Sequence, residues 1–149
     1  MDCYSCKSIS GEKRISPGPT IHEGEYWLVE HAYPCGMVGW LVIILKRHAE
    51  ALHELSLEES RELGKLQHRV AIILHQMLDC EKEYVACFGE AAHFNHIHFH
   101  VIPKPRDLPD ELRGPGIFRM LKVTDEEGVP RNTIKEFCES LKHIFKAEE

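Results

Sequence analysis

Hydrophobic and polar residues follow two different periods along this chain. Residues 25–32 are rich in aromatic and β-branched side chains, and residues 38–45 form an almost unbroken apolar run. The first segment predicts a strand that ends before Pro34, and the second predicts a buried central strand. Two shorter segments, at 84–88 and 96–102, predict further strands.

Two other segments have the pattern of helices. Ser56 and Glu59 form a capping box, in which each side chain binds a free backbone amide at the start of a helix. Apolar residues then recur at intervals of three and four, which predicts a long amphipathic helix over residues 57–78. The same spacing predicts a last helix from about 132 to 146.

Proline and glycine mark the segments in which we expect little regular structure. Residues 1–20 predict a loop or a tethered arm, and residues 103–116, with four prolines, predict a loop. Several strands around one long helix, without strand–helix alternation, favour an α+β domain on an antiparallel sheet. We expect a single domain over residues 1–149, in which residues 123–149 form a C-terminal helical extension.

Composition narrows the class of protein. The 149 residues are 43% hydrophobic and 28% charged, which is typical of a folded domain and not of a disordered one. A net charge of -6 argues against binding a nucleic-acid polymer through its phosphates, although a local basic pocket could hold a small phosphorylated ligand. The longest apolar run, residues 37–45, is too short to span a membrane. Without a basic segment and an apolar segment at the N-terminus, we expect no signal peptide and a cytoplasmic protein.

The six cysteines could indicate disulfides, but in a reducing compartment paired cysteines more often indicate metal or redox chemistry. Cys3 and Cys6 have the spacing of a zinc knuckle, and a redox motif is disfavoured because no strand precedes them. The other cysteines have no partner at metal spacing and are interpreted as packing residues: Cys35, Cys80, Cys87 and Cys138.

Histidine is the residue that points to chemistry. Of eleven histidines, four lie between residues 93 and 100. His96, His98 and His100 alternate with apolar residues, so in a strand they line one face, roughly 7 Å apart. That spacing suits contacts along a phosphate chain or metal ligands shared with other elements. A solvent-exposed face without function is the simpler alternative.

The run His-Ile-His-Phe-His-Val-Ile resembles the motif of the histidine-triad (HIT) family of nucleotide hydrolases and transferases. Residues 39–48 resemble the family's Gly-His-x-Leu-Val-Ile-Pro-Lys-x-His strand, with Trp40 in place of the first His and Leu45 in place of Pro. The order of elements over residues 1–122 also fits, although the loop before the triad is about two residues short. The chain is most similar to a bacterial subgroup of the family. The resemblance implies a HIT-like fold with about five antiparallel strands.

The resemblance also implies a mechanism. His98, the middle histidine, would be the nucleophile that attacks the α-phosphorus of a nucleotide conjugate and forms a nucleotidyl-histidine intermediate. An imidazole with an unperturbed pKa near 6.5 is largely neutral and nucleophilic at pH 7, which is independent support. The second ring nitrogen of His98 should donate to a backbone carbonyl. His100 would contact the phosphate or the ribose.

Other residues would bind the substrate. His31 occupies the place of the family's usual ribose-binding Asp or Asn, and Leu28 would lie against the base. His93 and Asn95, in the shortened loop, could donate to the phosphate or to the leaving group. For His93, a solvent-exposed loop residue is an equal alternative.

Some members of the family pair a Cys-x-x-Cys with two histidines, which implies a zinc site made of Cys3, Cys6, His48 and His96. Such a closed Cys₂His₂ set would be structural, and no organic cofactor is expected.

Three hypotheses follow for function. The first is a metal-independent hydrolase or transferase of nucleoside phosphate conjugates, such as phosphoramidates and dinucleoside polyphosphates. The others are a nucleotide-binding module with little turnover, and a metalloenzyme whose triad binds a catalytic metal. The expected partners are a small-molecule nucleotide and a second copy of the chain, with no nucleic-acid polymer and no membrane. Homodimers of this family usually form through the long helix, where Ala71 and Ile72 are extra apolar residues, and an adjoining strand.

Overall fold

One sheet of five antiparallel strands organises the protein, as seen in a computed structural model that describes residues 2–148. The strands are β1 (His22–Glu23), β2 (Trp27–His31), β3 (Leu41–Leu45), β4 (Lys82–Ala86) and β5 (His98–Lys104). Their order across the sheet is β1-β2-β3-β5-β4. The expected α+β fold on an antiparallel sheet is therefore confirmed.

Three α-helices lie in the same range of residues: α1 (Tyr4–Ser10), α2 (Leu57–Leu78) and α3 (Arg131–Ala147). Helix α2 has the predicted limits, and its capping box is complete. The Ser56 hydroxyl accepts a hydrogen bond from the Glu59 amide at 3.1 Å, and the Glu59 carboxylate accepts one from the Ser56 amide at 2.8 Å. Helix α3 is longer than predicted by one residue at each end.

Helix α1 lies in the segment that was expected to be a loop or an arm. The Cys3 sulfur caps it by accepting a hydrogen bond from the Cys6 amide at 3.4 Å. The Tyr4 amide donates to the carbonyl of His93 at 2.8 Å. A helix of 7 residues is too short to be stable alone, so these contacts with distant residues stabilise it. Hydrophobic periodicity could not reveal it.

Strand β5 starts and ends two residues later than predicted, so the predicted loop over residues 103–116 is wrong at its start. The carbonyl of Lys104 points towards β4, where it accepts a hydrogen bond from the Glu81 amide. Because successive residues of a strand direct their backbone groups to opposite sides, the nitrogen of Pro103 points towards β3. Pairing between β3 and β5 stops at Val101. A residue without an N–H is tolerated at Pro103 because no β3 residue lies opposite it.

The two faces of the sheet pack against different parts of the chain. The larger core lies between the sheet and helices α2 and α3, and it contains Val29, Ile43, Val101, Val70 and Leu141. Helix α3 is thus part of the main core. The opposite face packs a smaller cluster around Trp40, Val42 and Ile117, and it is on this second face that the histidines lie.

No helix within residues 2–148 combines the length and the apolar character needed to cross a membrane.

Candidate active site

The register of the sheet places the histidines of β5 on its second face. His98 lies opposite Ile44, and His100 lies opposite Val42. Directly opposed residues share a face, so all of these side chains point the same way. Ile97, Phe99 and Val101 belong to the main core on the other face. The alternation read from the sequence therefore holds in the structure.

His98 has one ring nitrogen fixed by the backbone. Its Nδ1 lies 2.6 Å from the carbonyl oxygen of His96, and since a carbonyl only accepts, Nδ1 carries the hydrogen. Nε2 then carries the lone pair, and this atom has no hydrogen-bond partner among the described residues. Burial lowers the pKa of His98, which keeps the ring neutral near pH 7.

His100 is held in the other tautomer by Trp40. The indole N–H donates to Nδ1 of His100 at 2.9 Å, and because an indole can only donate, the hydrogen of the neutral imidazole is on Nε2. Burial, together with the nearby His98, lowers the pKa of His100 to about 3. The rings of His98 and His100 lie 5.0 Å apart, centre to centre. Two neighbouring rings therefore differ in function: Nε2 of His98 carries a lone pair, and Nε2 of His100 carries a hydrogen that it can donate.

A cavity of about 440 Å³ lies in front of these two histidines. Ligand pockets for small molecules commonly have this size. Its walls come from strands β2 and β3, the loop before β5, the 3₁₀ segment Gly114–Leu121 and the N-terminal arm. Apolar and aromatic side chains dominate the lining, among them Ile15, Tyr33, Ile44, Phe88, Phe94 and Phe118.

The structure places His31 and Leu28 on opposite faces of the sheet. His31 lies opposite Leu41 on the main-core face, where its ring is 6.1 Å from that of Phe137. Its Nδ1 donates to the Ala32 carbonyl at 2.7 Å, and its Nε2 accepts from the Gly39 amide at 2.9 Å. His31 borders the cavity, but both ring nitrogens are occupied. Leu28 lies opposite Ile44 on the face of the cavity, yet it is not among the cavity residues.

His93 and Asn95 lie in the loop before β5 but do not line the cavity. His93 has a positive φ of 68° and is directed at the N-terminal arm. Its Nδ1 is 2.8 Å from the Asp2 carboxylate, and its ring stacks on Tyr4 with a centre-to-centre distance of 4.6 Å. Asn95 is exposed. His93 therefore joins this loop to the arm.

Four potential metal ligands meet beside the cavity. Nδ1 of His96 lies 3.5 Å from the sulfur of Cys3 and 3.5 Å from that of Cys6. Nδ1 of His48 lies 3.4 Å from the Cys6 sulfur and 3.2 Å from Nδ1 of His96. Ligands bound tetrahedrally at zinc distances are separated by about 3.3–3.8 Å. These four distances are close to the spacing in a tetrahedral Cys₂His₂ site, and all four ligand atoms lie within 4.8 Å of one another.

The outer nitrogens of both histidines have acceptors. Nε2 of His96 donates to the Leu45 carbonyl at 2.7 Å, and Nε2 of His48 lies 3.1 Å from the Glu50 carboxylate. In metal sites such acceptors fix the tautomer and direct the lone pair of the other nitrogen at the ion. The residues fit a zinc ion in chemistry and in orientation. His98 and His100 belong to neither of the two groups of three or more converging ligands in residues 2–148.

Comparison with known proteins finds relatives by sequence and by fold, although not by family model. No protein-family model matches the chain. Adenosine 5′-monophosphoramidase of Schizosaccharomyces pombe is 28% identical over 109 residues, which span 72% of this chain and 77% of the relative. The chain is therefore similar in sequence to a curated member of the histidine-triad family.

Solved structures of the HIT family share the fold. A HIT-like protein of Bartonella henselae involved in cell-cycle regulation superposes with a TM-score of 0.70 at 17% identity, covering 95% of each chain. A zinc-bound histidine-triad protein of Mycobacterium smegmatis gives a TM-score of 0.66 at 21% identity, covering 99% of this chain and 97% of its own. At these identities the likeness concerns the fold alone.

Two features of this site were missed by sequence reasoning. The Trp40–His100 hydrogen bond joins residues 60 positions apart, although the replacement of a family histidine by Trp40 was a signal at that position. On strand β2, the side chain on the face of the cavity is that of Glu30 and not that of the neighbouring His31. Arg14 donates hydrogen bonds of 2.7 and 3.1 Å to the Glu30 carboxylate. Only the strand register could distinguish Glu30 from its neighbour.

The Trp40 hydrogen bond predicts a change in the titration of His100. In Trp40→Phe, Nδ1 loses the donor that favours the neutral ring, so we expect the pKa of His100 to rise above its value of about 3 and both tautomers to become populated. Nitrogen-15 NMR of the imidazoles during an acid titration measures both effects.

Trp27→Phe is the matched control, because that buried indole donates to the Glu59 carbonyl at 2.8 Å on the other face of the sheet. If the two variants give the same His100 titration curve, Trp40 does not fix this ring.

Proposed function

We propose that this protein is a hydrolase or nucleotidyl transferase of nucleoside phosphate conjugates, such as phosphoramidates and dinucleoside polyphosphates. The S. pombe relative, named as an adenosine 5′-monophosphoramidase, supports this substrate class. The single observation that carries the proposal is the hydrogen bond from Nδ1 of His98 to the His96 carbonyl, which leaves a neutral Nε2 facing a ligand-sized cavity.

The reaction would proceed in two displacements. Nε2 of His98 attacks the α-phosphorus and forms a bond to it, while the bond from phosphorus to the leaving group breaks. The leaving group takes the electron pair of that bond and gains a proton from solvent. The positive charge that develops on the ring is stabilised by the His96 carbonyl, which already accepts its Nδ1–H. Water then attacks the same phosphorus, which releases the mononucleotide and regenerates His98.

His100 would assist through its Nε2–H. The Trp40 indole occupies Nδ1, so Nε2 is a donor that can bind a non-bridging oxygen of the phosphate as its charge increases. We assign the base to the apolar side of the cavity, near Ile44 and Phe118. Leu28 lies next to Ile44, as its cross-strand partner on β2. Of the contacts inferred from the resemblance, that of His100 agrees best with the cavity.

Removing the nucleophile should abolish turnover and spare binding. We expect His98→Ala to lower the rate of AMP release from adenosine 5′-phosphoramidate by several orders of magnitude, while nucleotide affinity stays within about tenfold. In the wild type, rapid quenching with an α-labelled substrate should trap label on His98.

His53→Ala is a suitable control, since His53 is an exposed residue of the 3₁₀ turn Leu52–Glu54. Near wild-type turnover by His98→Ala would overturn the covalent mechanism. Tight AMP binding by the wild type, with no release from phosphoramidate, adenylyl-lysine or diadenosine polyphosphate substrates, would instead indicate a binding module.

The Cys₂His₂ group is proposed to bind a structural zinc ion. The ion would join the start of the N-terminal arm, through Cys3 and Cys6, to His48 after β3 and His96 before β5. Such an ion has no open position for substrate, so it would hold the strand of the nucleophile without entering the reaction.

Zinc in this site predicts that chelation lowers the melting temperature more than the initial rate, because the ion supports folding rather than chemistry. Protein purified without added metal should contain one tightly bound zinc, and a Cys3→Ser, Cys6→Ser double variant should lose it. Cys87→Ser is the control, since Cys87 lies outside the group. Equal zinc in the wild type and the double variant, measured by elemental analysis, would remove zinc from this site.

A second copy of the chain is the proposed partner in assembly. Strand β4 is an edge of the sheet, and its Val85 is 50% exposed. Ile72 of the neighbouring helix α2 is 44% exposed. An exposed edge strand with apolar side chains tends to pair with another strand.

The dimer predicts a mass of about twice the 17.2 kDa of one chain in light scattering at micromolar concentration. Val85→Asp places a charge on the outer strand and should shift the mass towards that of the monomer. Lys82→Asp, at an exposed polar position of the same strand, separates this effect from a general effect of charge. A wild-type mass near 17.2 kDa would contradict the proposal.

The proposed compartment is the cytoplasm, which agrees with six unpaired cysteines. A net charge of -6 favours a small nucleotide over a nucleic-acid polymer as ligand.

A further inference from the structure

A second group of metal-binding side chains lies far along the chain from the Cys₂His₂ site. It consists of His75 in the last turn of α2, Cys80 in the connection that follows, and Glu83 in β4. The sequence assigned Cys80 to packing, and it is indeed 3% exposed. The structure adds an imidazole and a carboxylate beside its sulfur.

One thiol hydrogen bond and two longer contacts join the members of this group. Nδ1 of His75 is 3.7 Å from Oε2 of Glu83, which is longer than an N–H···O hydrogen bond. The Cys80 thiol donates a hydrogen bond to Oε2 of Glu83 at 3.5 Å, and its sulfur is 3.9 Å from Nδ1 of His75. Three ligand atoms thus approach one point, and only one hydrogen bond of ordinary length joins them.

The same distances are close to those around a bound ion. Bonds of 2.0–2.3 Å in a tetrahedron separate the ligand atoms by about 3.3–3.8 Å, and the three observed separations are within a few tenths of an ångström of this range. Small rotations of the half-exposed His75 ring would bring its nitrogen to the ideal distance. A mixed nitrogen, sulfur and oxygen donor set favours zinc-like ions over magnesium or calcium.

We propose that His75, Cys80 and Glu83 bind a divalent ion of the zinc class, in a site separate from the Cys₂His₂ group. The buried Cys80 and the largely buried Glu83 form the inner side of this site, and the more exposed His75 forms its outer side. Three protein ligands leave a fourth position for water. The ion would tie the end of α2 to β4, and its open shell makes binding weaker than at a closed four-ligand site.

The test is a zinc titration of the full-length protein, by equilibrium dialysis followed by elemental analysis. At saturating zinc, we expect His75→Gln to bind one equivalent less than the wild type. Because His75 is exposed, this substitution should leave the fold intact. Glu83→Gln, which keeps the shape of the side chain and removes its charge, should weaken the same equivalent at least tenfold.

His68→Gln is the matched control, since His68 is exposed on the same helix two turns earlier. It should bind as much zinc as the wild type. Cobalt(II) provides a second measurement: a thiolate-to-cobalt absorption band that survives in a Cys3→Ser, Cys6→Ser background and disappears on adding Cys80→Ser identifies the sulfur ligand.

Equal saturation of His75→Gln and the wild type would overturn the proposal. Equal losses in His75→Gln and His68→Gln would also overturn it, since they would indicate non-specific binding to surface histidines. Neither result would bear on hydrolysis by His98, because the proposed site takes no part in that reaction.

Discussion

The structure of the site depends on the three directions in which His96 is held. Its Nε2–H binds the Leu45 carbonyl, its Nδ1 faces the sulfurs of Cys3 and Cys6, and its own carbonyl accepts the Nδ1–H of His98. One fully buried residue therefore connects β3, the N-terminal arm and the proposed nucleophile. A shift of His96 would change the hydrogen bond that fixes the tautomer of His98 as well as the Cys₂His₂ geometry, so the proposed metal site and the proposed nucleophile depend on the same residue.

Three imidazoles in one row would repel one another if they were charged, and the fold avoids this by keeping them neutral. Burial is the main cause that lowers the pKa of His96, His98 and His100. Each ring then needs a defined tautomer, which two kinds of contact provide: His96 and His98 donate to carbonyls, whereas His100 accepts from Trp40. The arrangement yields one lone pair and one donor at the cavity, as phosphoryl transfer requires.

Sequence reasoning succeeded where the determinants are local. The capping box and apolar spacing fixed the limits of α2, and strict alternation identified the face of the histidines on β5. It failed where distant residues decide. Helix α1 depends on the loop before β5, and the site face of Glu30, as opposed to His31, follows from strand register. The sequence did not indicate that His75 and Glu83 lie beside Cys80, because the turn after α2 has to place β4 next to the end of that helix.

The N-terminal arm supplies one wall of the cavity, and several interactions hold the arm against the rest of the domain. Ser5, Ser8, Ile15 and Ser16 all line the cavity, yet the arm contributes no strand to the sheet. It is fixed at its start by Cys3 and Cys6, next to them by the Tyr4–His93 stack, and farther along by the Arg14–Glu30 ion pair. Glu30 is itself on a central strand and nearly buried, so Arg14 is bound to a rigid part of the sheet. Because each contact joins the arm to an element that also borders the cavity, the shape of the site is set by the same interactions that fold the arm.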